Sequence, residues 1–288
     1  MQDYLQFLKL SLLNVGFDQL DHKWDFDNVI SPFSRMYYIT SGDAKVYHNN
    51  KVFYLKPNHM YLIPSHTYSR YQCNFYHEQY YISFLEEVAN GLSIYSFKKF
   101  IYEIKATDKE LTYFKRLLEI NPGRTLVNND PKIYDNKPTL FKFKNKNEVL
   151  TTSRYLETQG ILSVLFSKFI KNSINKDKIF TKSNIEKAII YISENLHEKL
   201  TVEDLAAYCN LNKDHFSRSF YQNFGMRPIK YIQSKRVQRA QLLLLTTVDP
   251  LKDVAEKVGM ENMSYFIRTF KKITGKTPND FRKEQLKI

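Results

Sequence analysis

The sequence predicts an α+β chain of two domains: an N-terminal antiparallel β-barrel with flanking helices, and a C-terminal all-α domain in which two similar helix pairs are joined by a longer helix. Three observations carry this prediction. Short aromatic runs with period-two character, punctuated by turn residues, fill the first hundred or so residues. Helical periodicity begins near Thr107, and one pattern occurs twice in the last third of the chain. A length of 288 residues accommodates two domains.

The N-terminal strands are read from Arg35-Met36-Tyr37-Tyr38-Ile39, Ala44-Lys45-Val46-Tyr47, Val52-Phe53-Tyr54-Leu55, Met60-Tyr61-Leu62-Ile63 and Tyr80-Tyr81-Ile82-Ser83-Phe84. Between them, Ser41-Gly42-Asp43, His48-Asn49-Asn50, Lys56-Pro57-Asn58 and Pro64-Ser65-His66 carry turn chemistry. Short strands at this spacing predict an antiparallel sandwich or barrel.

From Thr107, Leu111, Phe114, Leu117 and Leu118 fit one short amphipathic helix. Tyr155, Leu156, Ile161, Leu162, Leu165, Phe166 and Phe169 fit a longer one. The Asn, Lys and Pro-rich stretch from Asn121 to Asn147 reads as a long loop or hairpin. The expected domains are 1–170, a polar linker over 171–182, and 183–288, whose first helix runs from Ile185 to Leu196.

In the last third, His215-Phe216-Ser217-Arg218-Ser219-Phe220 with Gly225 and Pro228 recurs fifty residues on. The second copy is Tyr265-Phe266-Ile267-Arg268-Thr269-Phe270 with Gly275 and Pro278. Upstream, Leu205-Ala206-Ala207 matches Val254-Ala255-Glu256 at an offset of forty-nine, so the one-residue slip falls in a turn. Thr201 with Asp204 forms a variant capping box, and Asn212 caps the next helix, whose Phe216, Phe220 and Phe224 face inward. In the second copy Asp249-Pro250 opens the first helix, Gly259 sits in the turn, and Asn262 or Ser264 caps the second helix. Each copy has the layout of a helix-turn-helix. Between them, Arg227 to Thr247 carries Ile229, Ile232, Val237, Ala240, Leu243 and Leu244 as an apolar stripe. Twenty or so residues at roughly 1.5 Å each span about 30 Å, close to the roughly 34 Å of one DNA turn.

From about Ser183 to its end the chain resembles the DNA-binding domain of the AraC/XylS family of bacterial transcription regulators. The resemblance rests on the SRSF and IRTF cores, the pairs Gly225/Pro228 and Gly275/Pro278, Val254-Ala255 with Val258-Gly259, and the closing Asn279-Asp280-Phe281-Arg282. Met260 stands where the family usually has an aromatic residue, a change for packing more than for DNA contact. The side chains turned away from the phenylalanine face are then candidates for base reading: Lys213, Asp214, Ser217, Arg218, Met263, Ser264, Tyr265, Ile267 and Arg268. Arg218 and Arg268 lead, because a guanidinium donates two hydrogen bonds to guanine O6 and N7. Asp214 fits a cytosine amine or the helix cap equally, and Met263, Tyr265 and Ile267 fit thymine methyls or packing. Lys230, Lys235, Arg239, Lys271, Lys272 and Lys276 are phosphate candidates.

The stretch from Tyr37 to Tyr71 is similar to the cupin-like sensor domain that often precedes this DNA-binding module. The resemblance implies a small-molecule effector inside the barrel, a homodimer interface on the helices after it, action on promoter DNA with RNA polymerase, and activation of transcription. Trp24, Arg35, Tyr37, His66 and Tyr81 are the effector-pocket candidates, aromatics for stacking and Arg35 for an anionic group.

Charge agrees with a polyanionic partner without singling one out. The chain has 43 Lys+Arg against 30 Asp+Glu, a net of +13, and the excess is spread over both domains. Catalysis, metals and cofactors are not expected. Metal-dependent cupins use a close His-x-His pair, and here His48, His59, His66 and His77 stand apart. Cys73 and Cys209 lie in different domains in no metal spacing. No apolar run reaches membrane-spanning length and the N-terminus lacks signal-peptide character, so a cytoplasmic protein is expected. Two rival classes remain, a catalytic barrel fused to a DNA module and an effector-independent DNA-binding protein.

Overall fold

A computed structural model describes residues 8–49, 51–87, 94–96, 99–134, 137–171 and 184–286. The expected linker beyond Lys171 lies outside them. The chain forms two compact units, the first built mainly on residues up to 87 and 98–171, the second mainly on 172–284.

The first unit is a seven-stranded antiparallel sheet: β1 (Lys9–Asp21), β2 (Asp25–Val29), β3 (Ser34–His48), β4 (Lys51–Leu55), β5 (His59–Ile63), β6 (Ser69–Glu87) and β7 (Glu103–Lys105). The strand order is β1-β6-β3-β5-β7, with β2 also on β6 and β4 also on β3. The sheet is therefore open, not the closed barrel that the sequence suggested: β7 is three residues long, and among the described residues no pairing joins it to β1. Among the described residues of this unit the helices are α1 (Asp108–Ile120), α2 (Pro131–Tyr134), α3 (Lys137–Asn145) and α4 (Thr152–Ser167).

Both sheet faces are buried over much of its area, which explains the dense aromatic runs. On one face Tyr38 and Tyr80 pack on Phe114 of α1, and Phe84 packs on Phe166 of α4. The opposite face carries a core of Trp24, Tyr37, Ile39, Val46, Tyr61, Tyr71, Tyr81 and neighbours. The two helices are tied by Lys168, whose Nζ donates to Glu110 Oε1 at 2.8 Å, while Glu110 closes a capping box with Thr107.

Several expectations change. Ser41-Gly42-Asp43 is no turn: β3 continues through it, with register shifts against β6 on either side of Ser41 and Gly42. Gly42 has φ +100°, and a Cβ there would lie 2.3 Å from the Tyr76 carbonyl oxygen, so the bulge requires glycine. The stretch from Asn121 to Asn147 contains α2 and α3. Leu156, expected in the inward stripe of α4, is 62% exposed.

Arg124, between α1 and α2, is 1% exposed. Its Nη1 donates to the carbonyls of Leu12 (3.1 Å), Leu13 (3.2 Å) and Phe143 (2.8 Å), and its Nη2 to Asn147 Oδ1 (2.9 Å). The consecutive carbonyls lie where the β1 register against β6 shifts, between Leu12 and Asn14. A bulge leaves its carbonyls off the ladder, and this guanidinium takes them up. Burial pulls its pKa down to about 10, which still leaves it charged at neutral pH.

The second unit is helical: α5 (Asn184–Glu194), α6 (Val202–Tyr208), α7 (Lys213–Phe224), α8 (Pro228–Thr246), α9 (Leu251–Lys257), α10 (Met263–Thr274) and α11 (Pro278–Leu286). Phe216, Phe220, Phe266 and Phe270 are fully buried, each worth roughly 1.5–3 kcal/mol. Tyr231 and Ile232 of α8 join α5, α6 and α7 in one core, whereas Ile229, expected in the stripe, is 41% exposed.

Candidate nucleic-acid interface and interior pocket

The duplication read from sequence is repeated in the hydrogen bonds of the second unit. Asn212 Oδ1 accepts from the His215 amide at 2.8 Å, and Asn262 Oδ1 from the Tyr265 amide at 2.9 Å, so α7 and α10 start alike. Of the two capping candidates in the second copy, Asn262 makes the bond. The turns match too: the Leu211 amide donates to the Ala206 carbonyl at 2.9 Å and the Met260 amide to the Ala255 carbonyl at 2.8 Å. Asn210 (φ +54°) and Gly259 (φ +71°) hold the left-handed position just before each. Gly225 and Gly275, both at positive φ, end α7 and α10.

The Thr201–Asp204 capping box closes as expected. Ala206 and Ala255 are buried where each helix pair crosses, and Met260 is 2% exposed, in the packing role expected of it. With its 19 residues, α8 is about 28 Å long.

Each second helix turns one face to solvent. On α10 it comprises Ser264, Ile267, Arg268 and Lys271, spaced i, i+3, i+4 and i+7. On α7 it comprises Asp214, Arg218 and Tyr221, with Ser217 half-buried beside them. Tyr221, 55% exposed, holds the place of Lys271 in the repeat and was missed because aromatic residues on α7 read as core.

The remaining expected base readers are more constrained. Lys213 is ion-paired with Glu203 at 2.5 Å. Asp214 lies in the first turn of α7, where a carboxylate favours the helix terminus. Met263 is half-buried. Tyr265 is half-buried and its hydroxyl accepts from Gln233 Nε2 on α8, while the Arg268 guanidinium lies 5.9 Å above its ring. Tyr265 is thus a shelf under Arg268. Lys230, Arg239, Lys271, Lys272 and Lys276 are exposed, whereas Lys235 is half-buried, donates to Gln238 and lies over the Tyr231 ring.

In the first unit, Trp24, Arg35, Tyr37 and Tyr81 line one cavity of about 20 Å³, together with Asp18, Gln79, Ser83, Leu126, Asn129 and Tyr134. That is room for about one water molecule. The expected His66 does not line it. His66 sits in the β5–β6 turn at φ +54°, its amide donating to the Ser31 carbonyl. Strand register explains the rest: Arg35 pairs with Ser83, Tyr37 with Tyr81 and Asp18 with Gln79, all on one sheet face. The 2% exposed Arg35 donates from Nε to Tyr134 Oη at 3.0 Å and from Nη2 to Ser31 Oγ at 2.6 Å, and its guanidinium lies 4.6 Å from the Phe33 ring centroid.

The segment after Arg124 closes this cavity. The Leu126 amide donates to Tyr81 Oη at 2.8 Å, Asn129 bonds to Asp18, and Tyr134 meets Arg35. Burial pushes the Asp18 carboxyl up to about 6, the bond from Asn129 opposing it. Two histidines beside this core are buried and neutral. His48 stacks on Phe53 at 4.5 Å and His77 on Trp24 at 5.7 Å, and burial pulls both pKa values down to about 4. Among the described residues, no three His, Cys, Asp or Glu side chains gather as a metal site would need. Nor is any described helix long and apolar enough to cross a membrane.

The family model for a helix-turn-helix domain matches residues 205–284. The bifunctional transcriptional activator and DNA repair enzyme AdaA of Bacillus subtilis is 44% identical over 92 residues, 32% of this chain and 44% of that protein. The matched region thus spans less than half of that relative's length. The Msm operon regulatory protein of Streptococcus mutans is 23% identical over 282 residues, 96% of this chain and 93% of its own. Among solved structures, an apo variant of ToxT from Vibrio cholerae matches 96% of this chain and 97% of its own with a TM-score of 0.50 at 16% identity, a likeness of fold. The paired caps, turns and glycine ends agree with the matched domain: residues 205–284 form a tandem helix-turn-helix DNA-binding domain of the AraC/XylS type, and along its whole length the chain is similar to an operon regulatory protein.

Proposed function

We propose that the chain is a sequence-specific activator of transcription that sets α7 and α10 into successive major-groove segments of promoter DNA. The single observation that carries this is the repeat of one capped, glycine-ended helix with an outward arginine, Arg218 and Arg268, at either end of a 19-residue helix. Arg218 and Arg268 read base edges, with Ser217, Ser264, Ile267 and Met263 as apolar or hydroxyl contacts. Asp214 and Lys213 act at the margin of the first helix, and Tyr265 positions Arg268. Lys230, Lys235, Arg239, Lys271, Lys272 and Lys276 meet phosphates. Residues 183–288 bind DNA, 171–182 link, and 1–170 sense a small molecule, dimerise, or both.

The sensing pocket is the interior cavity, where Arg35 suits an anionic group, Trp24, Tyr37 and Tyr81 supply ring faces, and the Leu126 to Tyr134 segment must shift to admit a ligand larger than water. Leu156 and Val164, exposed on α4 with the open Gly160 between them, suit a homodimer contact. RNA polymerase recruitment in the cytoplasm completes the reading.

Chromatin-type immunoprecipitation of the tagged chain tests it. Narrow peaks upstream of genes, lost in the Arg218→Ala/Arg268→Ala variant and accompanied by lower transcripts, are expected. Diffuse coverage that the variant leaves unchanged would contradict it. Binding of stoichiometric metal by the purified chain would favour the catalytic alternative.

A further inference from the structure

The face of the sheet opposite its aromatic core carries a second concavity, apart from the interior pocket. Strand register sets its floor as a grid of two rows across β4, β3 and β6. Tyr54, Lys45 and Gln72 lie abreast in one row, and Val52, Tyr47 and Arg70 in the next. Tyr68 adds a third ring, 6.0 Å from Tyr47 and edge-on to it, and the whole encloses about 490 Å³. That volume is in the range of small-ligand sites.

Two features of the lining decide what it would hold. Its charged groups are Lys45 and Arg70, both cationic, and neither is ion-paired among the described residues. The nearby Asp27 carboxylate lies outside the lining and accepts the Tyr68 hydroxyl at 2.5 Å. Beside these cations the rings are left uncovered: Tyr54 is 66% exposed and Tyr68 39%. Ring faces in water carry a cost that a stacked planar group removes. The same patch on a second copy would bring four cations together, which disfavours self-association through it.

We infer that this groove binds a small planar anion, its ring on Tyr54, Tyr47 and Tyr68 and its anionic substituent on Lys45 and Arg70. The Gln72 amide offers a donor nitrogen and an acceptor oxygen in the same grid. Aryl carboxylates and mononucleotides share this chemistry, a flat ring with one anionic group a few ångströms away.

Titration calorimetry on the full chain tests the site with 2-naphthoate and adenosine monophosphate. Cyclohexanecarboxylate is the anion without a π face, and adenosine the ring without charge. Saturable binding of either planar anion is expected, with its matched control at least tenfold weaker. Tyr54→Ala and the Lys45→Gln/Arg70→Gln variant should each weaken binding at least tenfold while melting as the parent does, since these side chains are not buried. Which of the two probes binds separates the nucleotide from the aryl acid. Three results would overturn the inference: no saturable binding of either probe at millimolar concentration, binding that the groove variants leave unchanged, or equal binding of the controls. A thymidine octanucleotide bound over tenfold tighter than adenosine monophosphate, and lost in the same variants, would also overturn it in favour of a single-strand platform.

Discussion

The Arg236 guanidinium clasps the end of the first helical segment, its Nε donating to the Leu196 carbonyl oxygen at 2.9 Å and its Nη2 to the carbonyl of Glu198 at 2.5 Å. Arg236 sits in the middle of α8, and Gly259, in the turn of the second helix pair, packs on the same place. A Cβ at Gly259 would lie 2.5 Å from the Leu196 oxygen and 2.9 Å from Arg236 Nη2. One cation therefore satisfies carbonyls that follow α5 and fixes where the second helix-turn-helix sits against the first half of its domain.

Gly259→Ala should destabilise this domain by about 2–3 kcal/mol, because strain at φ +71° adds to the clash with the Leu196 oxygen. Gly225→Ala, with open space around it at φ +70°, should cost only about 1 kcal/mol. Urea unfolding followed by far-ultraviolet circular dichroism compares the two. Equal costs would show that Gly259 is held by backbone conformation alone.

Arg268→Ala should weaken specific binding by about 1–3 kcal/mol and relax one base position, whereas Lys272→Ala should weaken all sequences alike and shrink the salt dependence. Tyr265→Phe keeps the ring under Arg268 but removes the contact with Gln233, so it should cost less than Tyr265→Ala. Fluorescence anisotropy on matched and single-substituted duplexes reads these differences. A uniform loss in Arg268→Ala would reassign it to a phosphate.

Arg124→Met should destabilise the first unit by about 3 kcal/mol, since three carbonyls lose a charged donor in a place water does not reach. Trp24, the single tryptophan, lies in that unit and reports its unfolding by fluorescence. An unchanged denaturation midpoint would mean that the bulge carbonyls are solvated in the variant.

Acid should destabilise the first unit between pH 6.5 and 4. His48 and His77, pulled from 6.5 to about 4, keep their full contribution above the unfolded value and lose it as pH falls toward 4, on the order of 3 kcal/mol each. Asp18 has the opposite sign. Its pKa is raised from 3.8 to about 6, so its contribution is complete below 3.8 and disappears as pH rises through 6. In the shared window it offsets part of the histidine loss. Asp18→Asn should therefore make Trp24-reported stability fall more steeply on acidification, and an identical pH profile would contradict this assignment.

The helical unit was legible in sequence because its signals are local. Thr201, Asn212, Asn262, Gly225 and Gly275 each act within one turn of chain, and the phenylalanines mark one helix face. The sheet was legible only in part. β1 hides from period-two reading because its bulge buries Leu12, Leu13, Asn14 and Val15 in succession. The polar centre of β6 is held by backbone pairing to strands on both sides, so its side chains give little sign of it. The cavity candidates Trp24, Arg35, Tyr37 and Tyr81 were legible as buried aromatic and cationic residues. Asp18, Asn129 and Tyr134 were not, since only long-range register and the closing segment bring them to Gln79, Tyr81 and Arg35.

The most direct measurement is selection of the purified full chain on a randomised duplex library at near-physiological salt, in parallel with Arg268→Ala. Two-headed recognition predicts an enriched motif of two blocks about one helical turn apart, with information lost at one position of one block in the variant. A single block, or salt-sensitive retention with no enriched sequence, would contradict it.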